Sequence, residues 1–179
     1  MALEHALLVA LSEQPAAGLE LARRFERSIG FFWHATHQQI YRVLGRMVGD
    51  GWVTVETVPQ AGRPDKKVYE VSDVGRTALA AWLAEPTPLE AFRSEIAVKL
   101  RGASYGDRAA VLDVVRAHLA EHHARLAHYD RLAEGWPDPA DLTDTGRDQW
   151  WVLQGGIRLE RFWIDWLTDY LAHQPEAPA

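Results

Sequence analysis

The most constraining feature of this chain is a capped helix that runs straight into a strand hairpin. Thr36-His37-Gln38-Gln39 has the form of a capping box, in which Thr36 accepts from the backbone at Gln39 and the Gln39 side chain reaches back. Ile40, Leu44 and Met47 then recur on one helical face, and Asp50-Gly51 supplies the stop. Trp52-Val53-Thr54-Val55-Glu56-Thr57-Val58 and Lys67-Val68-Tyr69-Glu70-Val71 follow. Both are β-branched and roughly alternating, and a long tip, Pro59 to Asp65, joins them.

Helical patterning surrounds this segment. Leu3, Leu7, Ala10 and Leu11 mark a first helix, and Leu21, Phe25 and Ile29 a second, with Pro15 and Gly18 between them. Ser72 caps a fourth that runs to about Ala84. Three short helices followed by a two-stranded wing is the order of a winged helix-turn-helix.

Glu85-Pro86-Thr87-Pro88 is the expected seam, dividing the chain into residues 1–85 and 86–179. Beyond it everything reads as helix. Pro88 can open a helix striped by Leu89, Phe92, Ile96 and Leu100, in which Glu95 and Lys99 make an i,i+4 pair. Leu112, Val115, Leu119, His122, Leu126, Tyr129 and Ala133 alternate spacings of three and four, a heptad seam that Gly135 ends. The last helix, about 144–172, is apolar on two faces. Trp150, Leu153, Ile157, Ile164, Leu167 and Leu171 lie on one, and Leu159, Trp163, Trp166 and Tyr170 on the other. A helix apolar on both sides must be covered on both. A second subunit is the economical cover, with Leu3, Leu7, Leu119, His122, Leu153, Ile157, Ile164 and Leu167 as expected interface residues. The expected fold class is therefore mainly α, a winged helix-turn-helix with a two-stranded wing plus an all-α dimerisation domain.

Composition narrows the function. With 179 residues and 47% hydrophobic content the chain can bury a core, and with no cysteine it has no disulfide, thiolate zinc site or catalytic cysteine. No signal-peptide pattern opens it and no apolar run approaches the roughly 18 residues of a membrane span, so a soluble, cytoplasmic protein is expected. The net charge of −6 argues against a nucleic-acid partner until its distribution is considered. Residues 1–85 hold nine Lys and Arg against ten acids, and residues 86–179 ten against fifteen. A near-neutral first half can still present a basic face.

If Ile40, Leu44 and Met47 face inward, Gln38, Tyr41, Arg42 and Gly45 share the opposite face. Gln pairs bidentately with adenine and Arg with guanine or phosphate, while Gly45 allows close approach. Thr36, His37 and Gln39 sit at a helix N-terminus that favours a phosphate oxygen, and Arg46 lies beside the reading face. Arg63, Lys66 and Lys67 make the wing cationic. Double-stranded DNA with a palindromic operator is the expected partner. The alternatives are a dimeric adaptor that uses the same surface for protein contact and, more remotely, an enzyme. The sequence has neither a phosphate-binding glycine loop nor a Gly-x-Ser-x-Gly elbow.

The ordered set Gly18-Leu19-Glu20-Leu21, Phe32-Trp33-His34-Ala35-Thr36, Gln39-Ile40-Tyr41-Arg42-Val43-Leu44, Gly51-Trp52-Val53, Arg63 to Tyr69 and Ser72-Asp73-Val74-Gly75-Arg76 resembles the PadR family of transcriptional regulators. The resemblance implies a dimeric winged-helix repressor in which the helix bearing Tyr41 reads DNA and the Lys66–Tyr69 strand lies in the wing. Leu19 departs from the pattern, which usually has an aromatic there. Residues 88–179 are similar to the virulence-activator type of C-terminal domain, which implies a last helix that crosses to the partner. In this family planar aromatic or phenolic compounds can relieve repression. Trp150, Trp151, Trp163 and Trp166 are the candidate lining of such an inducer pocket, and an aromatic dimer core is the plainer reading of any one of them. His118 and His122 share a helical face but lack a third ligand, so no metal and no cofactor is expected.

Overall fold

The computed structural model describes residues 2–26, 35–59, 62, 65–89 and 93–174. The chain divides into two compact units, Met1–Pro88 and Leu89–Ala179.

In the first unit, α1 (Ala2–Glu13), β1 (Ala16–Ala17), α2 (Gly18–Glu26) and α3 (His37–Gly49) precede β2 (Val53–Val58), β3 (Lys66–Val71) and α4 (Asp73–Leu83). The expected hairpin is present, with Val53 opposite Val71 and Val58 opposite Lys66. The sheet has three strands, however, in the order β1-β3-β2, because Ala16 and Ala17 pair with Tyr69 and Val68. Two alanines carry neither alternation nor β-branching, so nothing local announces that strand. Leu7, Leu8, Leu11, Leu21, Phe25, Ile40, Leu44 and Met47 form the fully buried centre. Leu7, expected at a subunit interface, is enclosed in this core and has no surface left for a partner; Leu3 packs half-buried at its edge.

The end of α3 is locked. Gly51 adopts φ +71°, which costs a glycine little, and the Trp52 and Gly51 amides donate back to Met47 and Val48. Ser72 then ties this turn to α4: its Oγ donates to the Gly51 carbonyl at 2.5 Å and accepts from the Gly75 amide at 3.0 Å. A Cβ at Gly75 would lie 2.0 Å from the Trp52 carbonyl oxygen, so only glycine admits this approach.

The second unit comprises α5 (Glu95–Gly102), α6 (Arg108–Glu134) and α7 (Asp144–Ala172), with single 3₁₀ turns at Ala103–Tyr105 and Pro139–Asp141. All seven heptad residues of α6 are buried or half-buried. Because Val115 packs with Leu167 while His122 meets Glu160, α6 and α7 run antiparallel. The stripe expected from Leu89 to Leu100 is corrected. Leu89 is fully exposed outside α5, and Phe92 lies outside the described residues. The helix starts at Glu95 because the Ser94 hydroxyl accepts from the Ala97 amide. His122, Leu153, Ile157 and Leu167, also expected between subunits, are buried within the single chain, while Leu119 and Ile164 are half-buried. A 27-residue helix lying along a 29-residue one covers the inner face of each, while Trp151, Val152, Leu159 and Phe162 stay exposed on the outer face of α7.

Candidate nucleic-acid interface

The capping box forms as its residue types dictate. Thr36 Oγ1 accepts from the Gln39 amide at 3.2 Å, and Gln39 Oε1 accepts from the Thr36 amide at 2.8 Å. This leaves the Gln39 carbonyl oxygen committed to the cap and only its NH₂ group for a partner. Ile40, Val43, Leu44 and Met47 bury one side of α3, while Thr36, His37, Gln38, Tyr41, Arg42 and Gly45 are exposed on the other. Among the described residues Arg42 has no acid within ion-pair distance.

Tyr41 is held rather than free to swing. A Cβ at Gly18 would lie 2.3 Å from Tyr41 Cε1, so the ring rests on the backbone at the start of α2. Tyr69 of β3 stands close enough that burial first, and Tyr41 second, raise its phenol above the ordinary value. The sequence offered no sign of Gly18's part in this.

The cations divide by role. Arg46 donates to Glu4, whose carboxylate is almost wholly buried, so Arg46 pins α3 to α1 while about half of its own side chain stays exposed. In the wing, Lys66 pairs with Glu20 of α2 at 3.2 Å. Lys67, its neighbour on the strand, is exposed and points to the opposite face of the sheet. Arg63 lies outside the described residues. Sequence reading missed Arg23, which is exposed on α2 and borders, with Lys66, Leu19 and Glu20, an open groove of about 550 Å³. Arg24 in the same helix is structural, donating to the Ala10 and Gln14 carbonyls at 3.1 and 2.8 Å.

The four tryptophans expected around one pocket do not converge. Trp150 pairs with Trp136 at 5.8 Å, and Trp151 lies under the Arg158 guanidinium at 5.6 Å. Trp163 and Trp166 pair at 5.4 Å on the far side of Gly155-Gly156, about 20 Å along the helix from Trp150. Among the described residues no group of three His, Asp or Glu is disposed to hold a metal ion, and no helix is long and apolar enough to cross a membrane.

A capped helix with an exposed polar face, backed by a hydrophobic core and followed by a cationic hairpin, defines a winged-helix protein. Residues 7–81 match the transcriptional regulator PadR-like family, and residues 92–173 match the virulence activator alpha C-terminal domain. "Probable transcriptional regulator Rv1176c" of Mycobacterium tuberculosis is 51% identical over 180 residues, spanning 94% of this chain and 95% of that protein. The crystal structure of Bacillus subtilis PadR in complex with operator DNA matches with a TM-score of 0.83 at 27% identity, covering 96% of this chain and 98% of that one. The same protein in complex with p-coumaric acid matches at 0.76 and 25%, covering 96% and 94%. The Vibrio cholerae virulence activator AphA gives 0.77 and 30%, covering 94% and 95%. The chain belongs to the PadR-like family of transcriptional regulators.

Proposed function

We propose that this protein is a homodimeric repressor that binds a palindromic duplex and is released from it by a small aromatic or phenolic ligand. The observation that carries the reading is the exposed face of α3. Gln38, Tyr41, Arg42 and Gly45 lie together on a helix whose start is capped and whose back is the core. In the major groove Gln38 and Arg42 offer bidentate donors to base edges, and Tyr41, seated on Gly18, offers a ring and a hydroxyl in a fixed position. Lys67 and Arg23 contact phosphate, and Lys66 can do so by sharing its charge with Glu20.

Dimerisation is supported by the outer face of α7. Trp151, Val152, Leu159 and Phe162 are 55%, 43%, 40% and 52% exposed and follow one another at helical spacing. Such a stripe is self-complementary, so the same stripe of a second copy can cover it across a two-fold axis. Two reading heads then engage half-sites about one helical turn apart, roughly 34 Å. A ligand that binds better to a dimer with mis-spaced heads draws the population away from the DNA-competent form. PadR of B. subtilis has been solved with operator DNA and with p-coumaric acid, which supports both arms of the proposal.

The test is selection of bound duplexes from a random pool at two salt concentrations. An enriched palindrome, with affinity falling steeply as salt rises, is the expected result. An unenriched pool overturns the proposal and leaves protein contact as the use of this surface.

A further inference from the structure

Glu20, in the first turn of α2, holds the ammonium of Lys66, the first residue of β3, at 3.2 Å. The two side chains are 50% and 39% exposed, and 46 positions separate them in the chain. Their surroundings give the pair its meaning. Gly18, two residues before Glu20, seats the Tyr41 ring of α3, and Ala17 before it pairs with Val68 of β3. Lys66 stands opposite Val58, on the last rung of the hairpin before its tip. Both members of the pair line the open groove of about 550 Å³ that Leu19 and Arg23 also border.

An exposed Lys–Glu pair adds little to folding, because solvent screens it and two flexible side chains must be held together. Against a polyanion the same carboxylate counts for more. In a helix-turn-helix the helix before the reading helix crosses the duplex backbone, which puts Glu20 where phosphates approach. It then acts twice in one direction. Its own charge repels the backbone, and it occupies an ammonium that would otherwise neutralise a phosphate. The opposing effect, keeping Lys66 ready in place, is small, since a lysine is a flexible point charge with no fixed fork to orient.

We propose that Glu20 is an affinity-limiting residue: it stands in for a phosphate at Lys66, and a duplex has to displace it. The inference rests on the DNA-binding reading above and adds the residue that sets how weakly the backbone is gripped. Backbone contacts supply nearly all binding to unrelated sequence. Glu20 therefore loosens the hold on unrelated DNA, while the contacts of α3 to base edges are untouched.

The experiment is an anisotropy titration of the full chain with two duplexes, the one enriched by the selection above and a random sequence of equal length, each across a salt series. Glu20→Gln is expected to tighten both about tenfold and to steepen the slope of log affinity against log salt by about one. Lys66→Gln weakens both and flattens the slope by about one. In the Lys66→Gln background the gain from Glu20→Gln falls to about threefold, because there is no longer a pair to break. Melting temperatures stay those of the unsubstituted chain, which assigns the changes to binding. Unchanged or weaker binding by Glu20→Gln overturns the inference, and so does a gain undiminished in the Lys66→Gln background. In those cases the unsubstituted chain still binds and the DNA-binding reading stands. An unsubstituted chain that binds neither duplex at any salt overturns that reading and the inference with it.

Discussion

Tyr41 and Gly18 are in van der Waals register: the ring of one lies where the side chain of any other residue at the second would have to go. Gly75 makes the corresponding approach to Trp52, but the atom it faces is a backbone carbonyl. The two glycines therefore respond differently to the same added methyl group. Gly18→Ala displaces an exposed ring, so it costs less than about 1 kcal/mol of stability yet weakens duplex binding several-fold by moving Tyr41 off its seat. Gly75→Ala forces α4 away from Trp52 and costs about 2–3 kcal/mol. Denaturant melts and duplex titrations of both variants separate the effects, and equal stability losses would refute the distinction.

Arg42 and Arg46 are neighbours by one helical turn, the first exposed on the face proposed to meet DNA and the second paired with Glu4. Arg42→Ala lowers duplex affinity, reduces the salt slope by about one and leaves the melting temperature where it was. Arg46→Ala strips a nearly buried Glu4 of its counter-ion and costs about 1–3 kcal/mol of stability. The double variant Arg46→Met with Glu4→Leu recovers most of that loss, because no charge is then left in the nearly buried site of Glu4.

His122 and Glu160 are the buried polar pair of the second unit, with side chains 7% and 6% exposed. Replacing His122 with Leu takes from the buried Glu160 its 2.5 Å partner and lowers stability by about 3 kcal/mol. Adding Glu160→Leu restores it. Thermal unfolding of the three variants reads this directly, and additive losses would show that the two side chains do not act as a pair.

Phe162 sits exposed over Trp163 and Trp166, with ring centroids 5.7 and 6.0 Å away. Phe162→Glu places a charge at the C-terminal end of the outer α7 stripe. Sedimentation then gives a monomer with unchanged helix content, and affinity for a two-half-site duplex drops by more than tenfold while a single half-site is bound as before. A dimer that survives this substitution would remove α7 from the interface.

Features encoded by neighbours in the chain were legible in advance. The Thr36–Gln39 cap, the Ile40-Leu44-Met47 face, both hairpin strands and the α6 seam depend on spacings of two to four residues, and each stands in the structure as its spacing demands. The exposed face of α3 was visible for the same reason, as the complement of its buried stripe. Features that depend on distant parts of the chain were not. Arg46 looks like any surface cation until Glu4, 42 positions earlier, is found beneath it. Glu160 reads as a solvent-facing acid until His122 arrives from the antiparallel helix. Of the Leu89–Leu100 stripe, Ile96 and Leu100 pack inward as their spacing predicts, while Leu89 lies outside the helix that the Ser94 cap starts at Glu95. The tryptophans misled by their proximity in sequence: helical rise sets residues 150 and 163 about 20 Å apart along α7.

The hydroxyl of Ser72 grips the carbonyl of Gly51, and the Trp52 carbonyl fills the notch at Gly75, so the last turn of α3, the hairpin and the first turn of α4 are fastened at a single knot. A reading head fastened in this way travels as one cassette. If the proposed dimer reads DNA through α3, control has to come from where the two cassettes are parked, since α3 has no joint of its own to flex.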